Sequence, residues 1–233
     1  MSSIEALIDR QLRKWEMEKR IRREAEENGK KHETKPIVTI SRQRGSQGSY
    51  LAEKLAEKLG YQLLHREIID EISSSSGYRR KIIESLDDKV RSHIELWFEG
   101  VFKGIYIDAS DYFRQLYKVI MSISELGGVV VVGRGANFIL TQDQGLHVRV
   151  VASVPKRIDN LVNYQNLPRE LAEIEVKKLD RSRAEFVKNN FGVDINDPRA
   201  YDLVINTTFI GIEDAISLVE LAMKAKMMML ERL

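Results

Sequence analysis

Short runs of β-branched residues alternate along this chain with longer stretches in which apolar residues recur at helical spacing. The β-branched runs lie at 37–40, 129–132, 146–152 and 203–205, and runs of this kind are typical of buried strands. Between them, apolar residues recur every three or four positions, which predicts helices. Strands that alternate with helices indicate an α/β fold, with a mainly parallel sheet and helices on both faces.

The predicted helices occupy most of the chain between the strands. They cover 51–59, 66–126 with short breaks, 155–164, 167–190 and 212–229. Gly60 and the pair Gly127-Gly128 end two of them, because glycine is common just after a helix. A serine-rich break spans 73–77. Trp97-Phe98 and Tyr106 lie in the long helical insert, where core packing is favoured over stacking on a base.

Residues 1–35 are predicted to form a helical appendage to a domain that spans 36–233. Ser2 and Glu5 have the spacing of a capping box, and residues 28–32 form a predicted helix end and linker. The apolar stripe of this helix consists of Ile4, Leu7, Ile8, Leu12 and Trp15. The stripe indicates a packing arm or a contact in a homo-oligomer. A basic tether for nucleic acid or membrane is the alternative, although nearby glutamates offset the arginines.

Composition narrows the class of protein. The 233 residues include 37 Lys and Arg against 35 Asp and Glu, and a net charge of +2 gives no general case for nucleic acid. The chain has no cysteine, which excludes disulfides, thiolate nucleophiles and cysteine metal sites. No apolar run approaches the ~18 residues that span a bilayer, and the charged N-terminus lacks the apolar core of a signal peptide. We therefore expect a cytoplasmic protein with neither a membrane nor a nucleic-acid partner.

Residues 41–49 form a loop between the first predicted strand and the first core helix. Ligands of parallel sheets bind at the carboxyl ends of the strands, and a loop that opens a helix can direct several N–H groups at an anion. Arg42 and Arg44 add positive charge, and Gly45 and Gly48 allow a phosphate to approach the backbone. The loop therefore predicts a phosphate site, with a plain turn between strand and helix as the alternative.

The loop departs from the common P-loop pattern of a glycine, four residues, a second glycine, a lysine and a serine or threonine. Arg42 takes the place of the first glycine, and Gly48 takes the place of the lysine. Ser49 occupies the Ser/Thr position, so a hydroxyl ligand for magnesium is retained. The missing lysine matters because that residue neutralises charge on the phosphates.

Three further arginines are candidates for phosphate contacts. Arg134 follows a buried strand, at the same predicted sheet edge as the loop, and pairing with a structural carboxylate is the alternative. Arg181 and Arg183 follow Asp180 in a polar helix. Phosphoryl transfer needs cations around the migrating group. Residues two apart do not share a helix face, so the residues alone favour a solvated face for this pair over a phosphate role.

Several short motifs together resemble the cytidylate kinase-like family over roughly residues 36–223. They are Ile40-Ser41-Arg42-Gln43-Arg44-Gly45-Ser46-Gln47-Gly48, Gly133-Arg134-Gly135-Ala136-Asn137, Asp180-Arg181-Ser182-Arg183 and Tyr201-Asp202-Leu203-Val204-Ile205-Asn206-Thr207. The resemblance implies a P-loop fold with a phosphate-donor site, an acceptor site and a mobile, arginine-bearing lid at about 165–195. It places Arg134 near the acceptor phosphate and the pair Arg181 and Arg183 on the lid.

The chain departs from this family at positions that bear on specificity. Gln47 replaces the usual glycine, and Ser49 stands where many members have arginine. His65 falls where an acidic residue is common, and Gly135 stands where true cytidylate kinases carry an aspartate for the acceptor nucleoside. The last two changes argue against a simple assignment of cytidine specificity.

The expected function is ATP-dependent phosphoryl transfer to a cytidylate-like nucleoside monophosphate or similar small acceptor, with ATP and Mg²⁺ as cofactors. The predicted catalytic residues are Arg134, Arg181 and Arg183. The predicted ATP-binding residues are Arg42, Arg44, Gly45, Ser46, Gln47, Gly48 and Ser49, with Ser49 also the predicted magnesium ligand. A non-catalytic nucleotide- or phosphate-binding protein and an interaction protein that acts through the N-terminal helix are the two alternatives.

Overall fold

The computed structural model describes residues 3–28, 35–84, 86, 91–92, 94, 96 and 111–232. The predicted linker beyond residue 28, Trp97-Phe98 and Tyr106 lie outside these residues. The chain divides into two compact units, one formed by 1–35 with 64–129 and the other by 36–63 with 130–233. None of the described helices is long and apolar enough to cross a membrane.

A five-stranded sheet runs through the described part of the chain. The strands are β1 (Val38–Arg42), β2 (Gln62–Leu64), β3 (Val129–Val132), β4 (Leu146–Val151) and β5 (Leu203–Asn206). Their order in the sheet is β2-β3-β1-β4-β5. Strand β1 is parallel to its neighbours β3 and β4, and β4 is parallel to β5. The predicted α/β class is confirmed. The three-residue strand β2 was not predicted, because its sequence is too short to show a strand period.

Helices connect the strands close to the predicted positions. They are α1 (Ser3–Glu27), α2 (Gly48–Leu59), α3 (Arg66–Ser74), α4 (Ser76–Glu84), α5 (Asp111–Leu126), α6 (Ala136–Ile139), α7 (Val154–Gln165), α8 (Arg169–Phe191) and α9 (Ile212–Leu230). The predicted break at 73–77 is narrower in the structure, where Ser75 alone separates α3 from α4. The segment predicted as a lid, at about 165–195, consists of the last residue of α7, a connection at 166–168, the long helix α8 and the residues just after it.

The two faces of the central strands differ in chemistry. One face is apolar, and there Val38 and Ile40 of β1 and Val148 and Val150 of β4 pack with residues of α2 and α9. The other face is buried but polar, because the register places Thr39 beside His147 and Ser41 beside Arg149. Thr39 Oγ1 and His147 Nδ1 are 2.8 Å apart. The polar face leads directly to the start of the loop that follows β1.

In the unit formed by 1–35 with 64–129, α1 packs against α3 and α4. Ile8, Leu12 and Trp15 of the predicted stripe are buried there. The helix therefore finds apolar partners within its own chain, which it needs because an isolated helix of this composition is marginal in water.

Replacing Leu12 with alanine is expected to lower the free energy of unfolding by about 2 kcal/mol, because it opens a cavity in this core. Leu12 is 5% exposed, whereas Leu7 on the same helix is 39% exposed. Leu7→Ala is therefore the matched control, with an expected loss below about 0.5 kcal/mol. Urea denaturation of both variants measures the difference. Equal losses would contradict the packing of α1 on this unit.

Candidate phosphate-binding site

The loop between β1 and α2 is held in a strained conformation. Arg42 ends β1 and Gly48 begins α2. Gln47, just before the helix, has a φ of 60°, in the left-handed region that non-glycine residues seldom adopt. Ser46 is fully buried, and its hydroxyl donates to the Gln43 carbonyl at 2.9 Å. Strain of this kind persists where surrounding contacts fix it, and it concentrates at functional sites.

The backbone of this loop presents unused donors. In the part of the chain that the structure describes, the N–H groups of Gly45, Gln47, Gly48 and Ser49 donate to no protein acceptor. Three of them belong to the start of the 12-residue helix α2, whose N-cap makes no side-chain hydrogen bond. The first N–H groups of a helix and its dipole both favour an anion. The loop has the donors that a phosphate group needs.

A cavity of about 570 Å³ lies against the loop. Its volume is in the range of small-ligand sites. The residues that line it are Arg42, Gln43, Arg44, Gly45, Gln47, Gly48, Ser49, Tyr50, Asn160, Leu161, Tyr164, Gln165 and Arg183. Six of the seven predicted ATP-binding residues are among them. The seventh, Ser46, is a loop residue that is fully buried.

The two loop arginines lie in different surroundings. Nε of Arg42 donates to the Ser49 hydroxyl at 3.3 Å, so its guanidinium group lies at the start of α2. The guanidinium of Arg44 turns toward α7 and α8, where it donates to Gln165 at 2.7 Å and pairs with Glu175. Arg44 is thus neutralised by a carboxylate in this structure, whereas Arg42 is placed beside the helix start.

Asp180 of α8 holds the loop from its outer side. One carboxylate oxygen accepts the Arg44 N–H at 2.8 Å, and the other pairs with the buried guanidinium of Arg157. Arg157 also donates to the Arg44 carbonyl at 3.3 Å, and Asn160 donates to the Gly45 carbonyl at 2.8 Å. Side chains from α7 and α8 therefore fix the backbone of residues 44 and 45.

The structure separates the two predicted lid arginines. Arg183 lines the cavity, and its Nη1 donates to the Arg42 carbonyl at 2.9 Å. Arg181 has a side chain that is 82% exposed and paired with Glu185, and that hydrogen bond raises the pKa of its guanidinium. Both lie on one continuous helix, so residues two apart point in different directions. The structure brings Arg183 to the loop and does not bring Arg181 there.

Arg134 follows β3 in a turn of three left-handed residues. Gly133, Arg134 and Gly135 have φ values of 85°, 54° and 65°. The Arg134 guanidinium lies 5.4 Å from the centre of the Phe186 ring, a cation–π contact with α8. Arg134 is not among the residues that line the cavity. Its predicted role at an acceptor phosphate stays a prediction.

Gly135 has no room for a side chain. A Cβ atom built there would lie 2.4 Å from Cε2 of Phe191. The Phe191 ring is itself confined, with Phe138 at 5.4 Å and Phe186 at 6.4 Å between ring centres. An aspartate at this position, the residue that the family resemblance implies for cytidylate kinases, would collide with the ring.

Gly135→Ala is expected to lower the free energy of unfolding by about 2 kcal/mol, because it adds overpacking to the cost of a left-handed alanine. Gly192→Ala is the matched control: Gly192 has a φ of 70°, and no atom lies within 4 Å of a Cβ built there. The control is expected to cost about 1 kcal/mol, from backbone strain alone. Thermal denaturation compares the two. A Gly135→Ala variant as stable as the control would refute the clash.

Ser49 is the candidate hydroxyl ligand for magnesium. It lies in the first turn of α2, within hydrogen-bonding distance of Arg42. Among the described residues, no group of three or more His, Cys, Asp or Glu side chains could hold a metal ion. Magnesium in kinases is commonly held by one or two protein groups together with nucleotide phosphates. A serine at the helix start fits that mode of binding.

Three residues that support the site were assigned no role from the sequence, although Arg157, with Val151-Ala152-Ser153, is part of the family resemblance. Arg149 of β4 is buried and donates to the Ser41 hydroxyl at 2.7 Å and to Asn196 at 2.9 Å, which fixes the residue before the loop. Arg157 and Asn160 hold the loop from α7. The sequence did contain a signal for the two arginines. An arginine within a predicted strand or beside the apolar positions of a predicted helix is expected to be buried, and a buried arginine needs a polar partner.

Comparison with known proteins places the chain in a family. The model of the cytidylate kinase-like family matches residues 37–209. The cytidylate kinase of Pyrococcus horikoshii is 24% identical over 189 residues, which cover 81% of this chain and 88% of that protein. The cytidylate kinase of Natronomonas pharaonis is 26% identical over 190 residues, which cover 81% of this chain and 90% of that protein.

A solved structure has the same fold. The crystal structure of an uncharacterized protein from Eubacterium ventriosum superposes with a TM-score of 0.65 at 21% identity, covering 82% of this chain and 99% of that chain. The likeness extends over nearly all of the compared protein and supports the sheet and helix arrangement described above. The family match includes β1, the phosphate loop, the turn around Arg134 and α8. On this evidence the chain belongs to the cytidylate kinase-like family.

Proposed function

We propose that this protein transfers a phosphoryl group from ATP to a nucleoside monophosphate or a similar small acceptor. The observation that carries the proposal is the loop after β1, whose unused N–H groups and flanking Arg42 and Arg183 line one cavity. Phosphoryl transfer depends on positioning and on neutralising phosphate charge, with little covalent chemistry from the protein. The family and its kinase relatives support the same class of reaction.

In this proposal each part of the loop has a distinct task. The N–H groups of Gly45, Gln47, Gly48 and Ser49 bind phosphate oxygens, and Arg42 and Arg183 neutralise their charge. The Ser49 hydroxyl would hold Mg²⁺, and the ion would supply positive charge to the phosphates. Asp180, Arg157 and Asn160 keep the loop in its binding conformation.

The acceptor is proposed to be recognised differently from the acceptor of cytidylate kinases. The space beside Gly135 is filled by the Phe191 ring, so no acidic side chain can extend from that position toward a cytosine. The proposal is therefore a monophosphate kinase without strict cytidine preference.

A panel of nucleoside monophosphates with ATP and magnesium, read by ADP release, tests the proposal. At least one acceptor is expected to stimulate ADP release above the rate with ATP alone. If no acceptor in the panel does so while ATP still binds, the catalytic proposal fails.

A non-catalytic nucleotide-binding protein is the second candidate. It is favoured by the absence of a lysine at Gly48, since that side chain normally contacts the phosphates. The two candidates differ in the panel experiment, because a binding protein would show a measurable Kd for ATP and no turnover. Calorimetry with ATP and magnesium beside the ADP assay separates them.

A further inference from the structure

We infer that the guanidinium group of Arg42 takes over the task of the lysine that P-loop kinases carry at the position of Gly48. In the usual loop a glycine stands at the first position and a lysine at the seventh. In this chain the two residue types are exchanged: Arg42 stands at the first position, and Gly48 stands at the seventh. The inference rests on the proposed function, because it assigns a residue to the proposed phosphate site.

The exchange has a steric cause. A Cβ atom built on Gly48 would lie 2.6 Å from Cβ and 3.3 Å from Cγ of Arg42. The first distance is far below van der Waals contact, and a Cβ atom has no rotamer by which to move away. A side chain at 42 and a side chain at 48 therefore exclude one another in this conformation. Glycine at 48 is what allows the end of β1 to carry an arginine.

A second glycine makes room for the far end of the same side chain. A Cβ atom built on Gly133 would lie 2.5 Å from Nη1 of Arg42. The N–H of Gly133 donates to the Ile40 carbonyl, which holds the turn after β3 beside the end of β1. The Arg42 side chain thus extends from β1, past the start of α2, to this turn. The start of the side chain is confined by the contact with position 48, and its far end lies beside Gly133.

The position of the guanidinium suits a contact with phosphate. Nε of Arg42 lies 3.3 Å from the Ser49 hydroxyl, the proposed magnesium ligand at the start of α2. A lysine at 48 would extend from the helix start itself, so both side chains place a cation at the entrance to the same N–H groups. A guanidinium has a planar set of donors that can bind two phosphate oxygens at once.

Of the other arginines near the loop, two pair with carboxylates, and Arg183 shares the cavity with Arg42. Arg44 pairs with Glu175 and Arg157 pairs with Asp180, so carboxylates neutralise both. Arg183 donates to the backbone carbonyl of Arg42. Arg42 is therefore the loop arginine best placed to supply charge at the start of α2.

Replacement of Arg42 by an uncharged polar side chain is the first test. Arg42→Gln is expected to weaken ATP binding by about tenfold and to lower turnover by about 100-fold, the scale of one lost charged donor. Arg42→Lys keeps a cation and is expected to retain most of the ATP affinity. Arg199→Gln is the matched control, since the Arg199 side chain is exposed and, among the described residues, bonded only to Asp197. Calorimetry with ATP gives a readout that is independent of turnover.

The reciprocal exchange is the second test. Gly48→Lys alone is expected to lose ATP binding, because the new side chain collides with Arg42, and Arg42→Gly alone is expected to lose the cation. The double variant Arg42→Gly with Gly48→Lys is expected to recover at least tenfold over either single variant. A Cβ atom at position 48 also lies 3.0 Å from Cβ of Val150, so α2 must shift by a few tenths of an ångström in the variants that carry a lysine there. Circular dichroism establishes that each variant is folded.

The outcomes separate this inference from the proposed function. ATP affinity within threefold of the parent for Arg42→Gln, or a folded Gly48→Lys variant that binds ATP as well as the parent, overturns the inference. A parent protein that binds ATP but turns over no acceptor contradicts the proposed function, while the affinities of the variants still decide the role of Arg42. A parent that binds no ATP overturns both.

Discussion

Replacing Arg183 with alanine is expected to reduce turnover by about 10³-fold, the scale of an arginine that stabilises charge in phosphoryl transfer. Arg183 is the arginine of the predicted lid that reaches the phosphate loop, and its guanidinium bonds to the Arg42 carbonyl. Its side chain is 28% exposed, on the wall of the cavity. The affinity for ATP is expected to fall much less, because the contact gains strength as charge develops during transfer.

Two further variants on the same helix sharpen this test. Arg169→Ala removes an exposed arginine of α8 that pairs with Asp159, and it is the control for the loss of a surface charge. Arg181→Ala removes the arginine that the structure directs toward Glu185, away from the loop. Steady-state kinetics with the best acceptor and calorimetry with ATP are measured for all three. Equal losses of turnover and ATP affinity in Arg183→Ala would indicate that Arg183 only binds ATP. A loss in Arg181→Ala as large as that in Arg183→Ala would contradict the placement of Arg183 at the loop and of Arg181 away from it.

Replacing Asp180 with alanine is expected to lower the free energy of unfolding by about 3 kcal/mol, because it leaves a buried cation without its partner. The Arg157 side chain is 6% exposed, and its Nε already has no hydrogen-bond acceptor among the described residues. The variant also removes the acceptor of the Arg44 N–H, which loosens the phosphate loop. Turnover is therefore expected to fall together with stability.

A double variant tests the cause of that loss. Asp180→Ala combined with Arg157→Met removes both charges, and it is expected to recover most of the lost stability, since apolar replacement of a buried pair is often neutral. Asp159→Ala is the matched control, because Asp159 is a half-exposed carboxylate of α7 whose pair with Arg169 lies at the surface. Its expected cost is below about 1 kcal/mol. Urea denaturation of the three variants measures these differences. A double variant as unstable as Asp180→Ala would refute the unpaired charge as the cause.

Prediction from sequence agrees with the structure for the elements that surround the candidate site. The loop at 42–49 was predicted from a strand, a glycine-containing turn and a helix in succession, and the structure has these elements in that order. The pair Arg181 and Arg183 was predicted together because the two occur in one motif. The helix then separated them, since side chains two positions apart differ by about 200° around a helix of 3.6 residues per turn.

The hydrophobic pattern of this sequence by itself determined the α/β class, four of the five strands and the position of the loop that forms the candidate site, because strand and helix periods are properties of neighbouring residues. Tertiary structure alone decided which charges meet. Arg44 and Glu175 are separated by 131 positions, and Arg44 and Asp180 by 136, so no local pattern records their contacts. Arg42 excludes a side chain at position 48, and the Phe191 ring excludes one at position 135. Both conflicts involve atoms that only folding brings together. Close packing of the folded chain therefore decided which arginine lies at the phosphate loop and which side chains its neighbours can carry.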